Sequence, residues 1–502
     1  MANGSGERGG RLAPDAPLSS DAPLAPDAPL APDTVLAAAH RLLGELAAET
    51  PAEHEGRAAV WVVGGALRDQ LLGLPVRDVD LAVRGPADRL AARLADELGG
   101  AAYAVSERFA TWRVVLPGGH VDLAPLRGPS LDDDLRGRDF TVDAMARAAE
   151  GADHIDPLGG ARDLAERRLR PCAPHAFVND PVRVIRLARL RHGLGLEPVA
   201  EAEEQARAAA PALAQVSGER LEQELTALLG LPGVAAAGAV SELDRLGALE
   251  VVLPEVATTR GVTQNPYHHH DVFEHTLEGL THVAGVVAQL GGPAPLASPS
   301  ELGLADAGPL APLLWALLLH DIGKPAARDV DPQTGLVRFW YHDEIGARLV
   351  GDVARRLRFS KRFEQYLRVL VRQHLRLGFL AREQPLSRRA LARFRRAVEP
   401  YVFEALVVSL ADRMATRGEK TSAKSIARHF RLAREVWEGL PPPAPRLLNG
   451  DDVMRLLHVP PGPLVGRALA ALQEEVEAGE VTSHDEAKRH LVSWWEEQER
   501  DA

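Results

Sequence analysis

The sequence predicts an α+β protein, with a small mixed α/β head followed by an all-helical remainder. Three observations support this. Apolar runs at Val60–Val63 and around Asp78–Val83 flank a Gly64-Gly65 pair, the pattern of a strand, a tight turn into a helix opening near Ala66, and a second strand. Alternation at Thr111–Leu116 and His120–Leu123 adds two strands joined by a Pro117-Gly118-Gly119 turn. From Asp163 onward the apolar spacing is helical nearly to the end, interrupted by a Gly/Pro/Ser-rich stretch at Gly291–Pro312 and a break at Pro441–Pro445.

Taken in order, residues 1–33 are Pro-, Ala- and Asp-rich, with DAPL starting at Asp15, Asp21 and Asp27. They lack aromatic anchors, so an extended disordered tail is expected. Thr34–Glu49 then reads as an amphipathic helix leading into the first strand. At 502 residues the chain exceeds what one core supports, and three or four structural units are expected. The amino terminus has no apolar signal core, and the most apolar stretch, Leu310–Leu319, is too short to span a membrane and reads as a buried helix. The single cysteine, Cys172, excludes intrachain disulfides and a cysteine-based metal site, which suits a reducing, cytoplasmic compartment. A formal net charge of -12 argues against a diffuse grip on nucleic acid, so any RNA must be held by local patches.

The chemistry begins at Asp78 and Asp80. Side chains at i and i+2 of a strand share a face, roughly 7 Å apart. Carboxylates that close repel unless a hard divalent cation such as Mg2+ lies between them, and that cation also grips phosphates. Gly64 and Gly65 let a triphosphate approach the amides at the helix start. Alone, each feature is commonly just a turn or a strand end. Together, with Asp80 set among Val79, Leu81, Ala82 and Val83, they point to nucleotidyl transfer.

GGALRDQLLG followed by RDVDLAV resembles the first motif of the class II tRNA nucleotidyltransferases, the group holding CCA-, CC- and A-adding enzymes and bacterial poly(A) polymerase. Four further stretches resemble that family's motifs in order: Leu131–Ala146 (ribose binding), Ile155–Arg170 (hinge), Asn179–Leu190 (base reading) and Ser217–Leu229 (helical). The stretch LLNGDDVMRLLHVPPGPLVGRAL resembles the tail of many members. The resemblance implies a nucleotidyltransferase head at 34–165, a helical neck at 166–255 and a helical tail at 431–502. It implies a tRNA 3' end, CTP and ATP as partners, Mg2+ on the catalytic pair Asp78 and Asp80, and no membrane. Gly64, Gly65, Arg68, Arg138 and Asp139 are the implied nucleotide-binding residues of the head. Asp122 is a candidate third acidic group, a solvated strand residue being the alternative. Gly137 stands where members usually have arginine, and Asp143 where they have asparagine.

In Asn179-Asp180-Pro181-Val182-Arg183, proline at the first helical position makes Asp180 a natural N-cap. Arg183, Arg186 and Arg189 continue a basic stripe on the same helical face. A carboxylate beside a guanidinium matches the Watson-Crick edge of cytosine or adenine, and the resemblance assigns Asp180 and Arg183 as the protein template, with Arg186 beside them. Asn179 replaces the usual glutamate. Only eight residues separate Asp122 from Leu131, where CCA- and A-adding relatives carry a longer flexible loop. That absence points to a CC-adding enzyme, with a separate A-adding protein acting on the same tRNA; full CCA addition and poly(A) polymerase are the alternatives.

A second constellation lies at 256–430. His275, His320, Asp321, His342, His374 and Asp412 resemble the HD-domain pattern of metal-dependent phosphohydrolases. Imidazoles and carboxylates suit a divalent transition metal, Ni2+, Mn2+ or Fe2+, that activates water against a phosphoester such as a 2',3'-cyclic phosphate. His275, His320, Asp321 and Asp412 form the expected primary site, with His342 and His374 completing a second. Lys324 is placed to neutralise phosphate, and His268–His270 either line the entrance or form a solvated loop. A phosphohydrolase or RNA-binding regulator with a degenerate head is the competing reading, favoured by Gly137, Asp143 and Asn179.

Overall fold

Alternation decides the architecture of the head. In β2 (Asp78–Arg84), Val79, Leu81 and Val83 are buried, and in β5 (Gly119–Pro125) so are Val121 and Leu123. These five pack with Val60 and Val62 of β1 (Ala59–Val63) and Val114 and Leu116 of β4 (Thr111–Leu116) against one layer of helices. That layer is α1 (Pro32–Glu49), through Leu36 and Leu43, and α3 (Ala87–Leu98), through Leu90 and Leu94. Each fully buried leucine contributes ~1.5–3 kcal/mol. Because the strand period is two, Asp78, Asp80, His120 and Asp122 all fall on the other face. There a smaller buried cluster, Val63, Ala82, Leu135, Ala144 and Ala146, packs with partly buried Trp61, Leu126, Leu131 and Leu158.

With β3 (Ala101–Ser106) and β6 (Ala146–Ala148), the strands form one six-stranded sheet in the order β3-β4-β5-β2-β1-β6. Neighbours are antiparallel except β2 and β5, which run parallel with Asp78 opposite His120 and Asp80 opposite Asp122. Short helices α2 (Gly65–Leu71), α4 (Leu131–Arg136) and α5 (Gly160–Ala165) complete the head.

This is a computed structural model that describes residues 30–49, 58–106, 110–149, 154–291, 296–304, 307–381, 385–440 and 444–500. The DAPL starts at Asp15, Asp21 and Asp27, and Pro441–Pro443 of the expected break, lie outside the described residues. The described residues begin at Leu30, inside the expected tail of residues 1–33. Leu30 is buried and its amide donates to the Val76 carbonyl, and Pro32 and Asp33 open α1.

The described chain divides into two compact units between Ala176 and Phe177. The second is mainly helical, with a two-residue strand at Glu197–Pro198 and a hairpin, Arg328–Val330 with Val337–Phe339, which the helical pattern did not foretell. Helix Ala311–Leu319 is apolar on every side and buried along its whole length, as read from the sequence. Towards the end, helices Gly450–Leu457, Pro463–Ala478 and His484–Arg500 enclose their own core around Val453, Ala468, Leu472 and Leu491. Among the described residues no helix is long and apolar enough to cross a membrane.

Candidate active sites

On the open face of the head, Asp78 and Asp80 stand side by side in β2. Asp78 is solvent-exposed, and His120 Nδ1 lies 3.0 Å from its Oδ1, while His120 Nε2 lies 3.8 Å from Asp122 Oδ2. Asp122 is gripped by Arg113, whose Nε and Nη2 donate to its two oxygens at 2.7 and 2.9 Å. It is therefore neither a solvated strand residue nor an unengaged third carboxylate. Solvent reaches Asp80, yet protein atoms crowd it, and that loss of hydration raises its pKa above the ordinary carboxylate value. Arg138 opposes the rise; Asp122 and Asp78 add to it.

Gly64 connects β1 to α2 at φ 77°, and a Cβ there would come within 2.9 Å of Arg138 Nη1 and 3.1 Å of Asp80 Oδ2. Only glycine leaves that space open. Arg138 is oriented by buried Asp134, which accepts from its Nε at 3.1 Å. Arg68 donates to Asp143 at 2.5 Å and to Asp69 at 2.8 Å, so the aspartate found in place of asparagine serves as its ion-pair partner. Gly137 closes α4 at φ -78°, open to any residue, so the missing arginine is not a backbone requirement. The connection from β5 to α4, residues 126–130, is pinned at both ends. The Arg127 amide donates to Asp134 Oδ1, and the Ser130 hydroxyl caps α4 by accepting from the Asp133 amide.

The base-reading segment departs from its expected form. Pro181 and Val182 make a turn and the helix begins at Arg183, so Asp180 is not its N-cap. The Asp180 carboxylate instead receives Arg220 Nη2 at 2.7 Å, and its Oδ1 is buried without a hydrogen-bond partner. Arg183 is buried, while Arg186 and Arg189 both reach buried Glu224, at 2.5 and 3.4 Å.

In the second unit, five helices deliver the histidines and acids to one point. Helix Val272–Gln289 carries His275 and helix Val402–Ala415 carries Asp412. His320 and His374 end helices Ala311–Leu319 and Lys361–Gln373, and His342 begins helix His342–Leu357. Each imidazole Nδ1 donates to a backbone carbonyl: His320 to Leu317, His342 to Phe339, His374 to Val371 and His275 to Ala415, at 2.6 to 3.3 Å. A carbonyl only accepts, so Nδ1 holds the proton and Nε2 presents a lone pair inward. His342 Nε2 then faces His374 Nε2 at 3.3 Å, and His275 Nε2 faces Asp412 Oδ1 at 2.9 Å.

Lone pairs brought that close need a proton or a metal ion between them. His320 Nε2 and Asp321 Oδ1 are, besides, buried without hydrogen-bond partners. The donor set fits divalent metal in two adjacent groups, His275-His320-Asp321 and Asp321-His342-His374, sharing Asp321. Burial, then the neighbouring His320 and His342, depress His374 to about 4, so this ring is neutral, whereas at His320 the effect of burial is outweighed by Asp321, which raises it. Lys324 donates to Asp321 at 2.5 Å and to Gln264 at 2.7 Å. His268 lies at the cavity wall, 5.0 Å ring to ring from His275, whereas His269 and His270 turn to Glu278.

Sequence reasoning missed His120, Arg113, Arg220 and Glu224. His120 repeats the i, i+2 spacing of Asp78 and Asp80 one strand further on, a signal that was there to be read. The other three carry no local signal.

Residues 60–170 match the Poly A polymerase head domain family and residues 272–417 the HD domain family. The A-adding tRNA nucleotidyltransferase of Deinococcus radiodurans is 38% identical over 446 residues, covering 87% of this chain and 95% of that protein. The chain belongs to the tRNA nucleotidyltransferase and poly(A) polymerase family. Other members of this tRNA nucleotidyltransferase family are similar over nearly the same span. The CC-adding enzyme of Thermus thermophilus is 34% identical over 86% of this chain and 93% of its own, and that of Geobacter sulfurreducens 31% over 90% and 97%. Among solved structures, a CCA-adding enzyme with ATP superposes with a TM-score of 0.56 at 20% identity, covering 91% of this chain and 94% of that one. The Thermotoga maritima CCA-adding enzyme complexed with tRNA gives 0.52 at 21%, over 91% and 94%. At that identity the likeness is one of fold.

Proposed function

We propose that the protein adds cytidines to the 3' end of tRNA, from CTP, and that its HD domain is a second, phosphohydrolase site. The observation that carries transfer is the pair Asp78 and Asp80 on the open sheet face, beside the space that Gly64 leaves. In this reading the tRNA 3'-hydroxyl attacks the α-phosphate of the incoming nucleotide and pyrophosphate leaves. Mg2+ held by Asp78 and Asp80 supplies the lowering of the hydroxyl pKa and the offset of phosphate charge. His120 fixes the Asp78 carboxylate, Arg138 and Arg68 hold the triphosphate, and Asp139 positions the ribose. Arg183 donates to the ring nitrogen of the base. The unpartnered Oδ1 of Asp180 accepts from its amino group, with Arg220 setting the carboxylate's orientation.

The choice of cytidine rests on the connection at 126–130. It is short, and Asp134 and the Ser130 cap tie it to α4, which favours an enzyme that cannot re-aim its template to accept ATP. One observation favours A addition instead, the 38% identity to an A-adding relative. The decisive experiment extends a tRNA ending at the discriminator base, and one already ending in CC, with CTP and ATP separately and together. Two cytidines followed by arrest would establish CC addition. A single A added only to the CC-ended tRNA would establish A addition, and extension of neither would leave the HD site as the active one.

The HD reading rests on the four inward-facing Nε2 atoms. Metal at that cluster supplies an activated water for phosphoester hydrolysis, and Lys324 draws substrate phosphate towards it. Opening of a nucleoside 2',3'-cyclic phosphate, abolished by a chelator and restored by Mn2+ or Ni2+, tests it. No turnover with any of these ions removes the assignment.

A further inference from the structure

The cavity beside the histidine cluster is larger than the metal ligands require. It encloses about 550 Å3, within the range of pockets that take a whole small ligand. Asp321, His342, His374 and Asp412 line one part of it. Beyond them, helix Ala423–Gly439 contributes Ser425, Arg428, His429 and Leu432, spaced by three and four residues and so sharing one face. Arg413, the residue after Asp412, joins them.

Neutral oxygens orient both arginines. Arg413 Nη2 donates to Ser425 Oγ at 2.8 Å, and Arg428 Nη2 to the Ala381 carbonyl at 2.5 Å. Among the described residues neither has a carboxylate within 4.0 Å, so each guanidinium keeps its full charge and most of its five donors for something else. Half-buried Arg413 and exposed Arg428 thus give one cavity of a chain with 12 excess negative charges two guanidinium groups suited to an anion. His429 Nε2 lies 3.3 Å from Ser409 Oγ, and burial keeps the ring neutral, with a pKa of about 4. With Leu375 and Leu432 it forms a flat, uncharged part of the wall suited to a base or ribose.

We infer that the HD pocket binds two phosphates of one ligand. One lies at the histidine cluster beside Lys324. The second is the 5' phosphate of the same nucleotide, held by Arg413 and Arg428. The preferred substrate is therefore a nucleotide still attached through its 5' phosphate, an RNA 3' end carrying a terminal phosphoester, over a free nucleoside cyclic phosphate. The reaction is unchanged: a water oxygen bonds to phosphorus, one phosphorus–ribose oxygen bond breaks, and the water proton ends on that oxygen. This rests on the phosphohydrolase reading above.

The test uses the full chain with Mn2+ and two substrates that differ by one phosphate, a nucleoside 2',3'-cyclic phosphate with and without a 5' phosphate. The wild type is expected to favour the 5'-phosphorylated one by about tenfold in kcat/KM, the scale of a charge-assisted contact. R428Q and R413Q are expected to collapse that ratio towards one, through KM, and R428K to restore part of it. A wild-type ratio near one, or an unchanged ratio in both glutamine variants, overturns the inference. If the wild type hydrolyses neither substrate, the phosphohydrolase reading falls. Calorimetry with a nucleoside 3',5'-bisphosphate then decides the subsite alone: weaker binding by R428Q upholds it, and equal binding overturns it.

Discussion

In the head, the carboxylate pair proposed to hold Mg2+ leans on a single imidazole, His120. It is buried, faces Asp78 at 3.0 Å, and sits on β5 opposite Asp78 in the parallel register. A carboxylate that binds metal is held in place by such outer partners, and their loss typically costs ten- to a hundredfold in metal affinity. His120→Ala is accordingly expected to raise the Mg2+ concentration for half-maximal nucleotide incorporation by about tenfold, with activity recovering at high Mg2+. An unchanged Mg2+ titration would remove this role. Asp78, Asp80 and the His320-Asp321 step were legible because each sits in a polar break within an apolar run, and the other HD residues through their resemblance to the family pattern. Arg113, Arg220 and Glu224 were not, because each acts on a partner 9 to 40 residues away, and a lone charged residue on a strand or helix says nothing of what it will face.

Among the elements, the metal cluster depends on how closely two helices approach. Gly323 follows the His320-Asp321 step, and a Cβ there would fall 2.1 Å from the His342 carbonyl oxygen and 2.6 Å from the Gly346 amide. Any side chain must therefore push helix His342–Leu357, and His342 with it, away from Asp321. Gly323→Ala is expected to weaken the Asp321-His342-His374 group more than His275-His320-Asp321. Calorimetric metal titration would then show one of two binding events weakened or lost, and two intact events would exclude the coupling. The strands that alternate cleanly, β4 and β5, were legible to within two residues. β3 was not, since Ala101–Ser106 lies largely exposed and lacks an apolar face, and β6 has only three residues. The helix start at Arg183 was misplaced because Pro181 suits a turn as readily as a first helical residue.

For the molecule as a whole, the two proposed chemistries fall in two compact units, so they should be separable by mutation. Asp80→Ala is expected to abolish nucleotide incorporation while leaving phosphohydrolase activity, and His320→Ala to do the reverse. Both variants should retain the wild-type circular dichroism spectrum. Preserved incorporation in D80A would sink the catalytic assignment, and an unchanged hydrolysis rate in H320A would sink the HD assignment. The order of head and helical remainder was legible because the apolar period changes near Asp163. The division between Ala176 and Phe177 was not, because the apolar period already turns helical ahead of it, at Asp163.

The wide separation of the HD ligands along the chain also sets a timetable for biosynthesis. His275 and Asp412 are 137 residues apart, while every strand that builds the head's carboxylate face lies before residue 149. A ribosome has therefore delivered the complete head long before Asp412 emerges. The nascent chain can close its first centre while the second still lacks Asp412, so the contact of Asp412 with His275 is among the last to form around the histidine cluster.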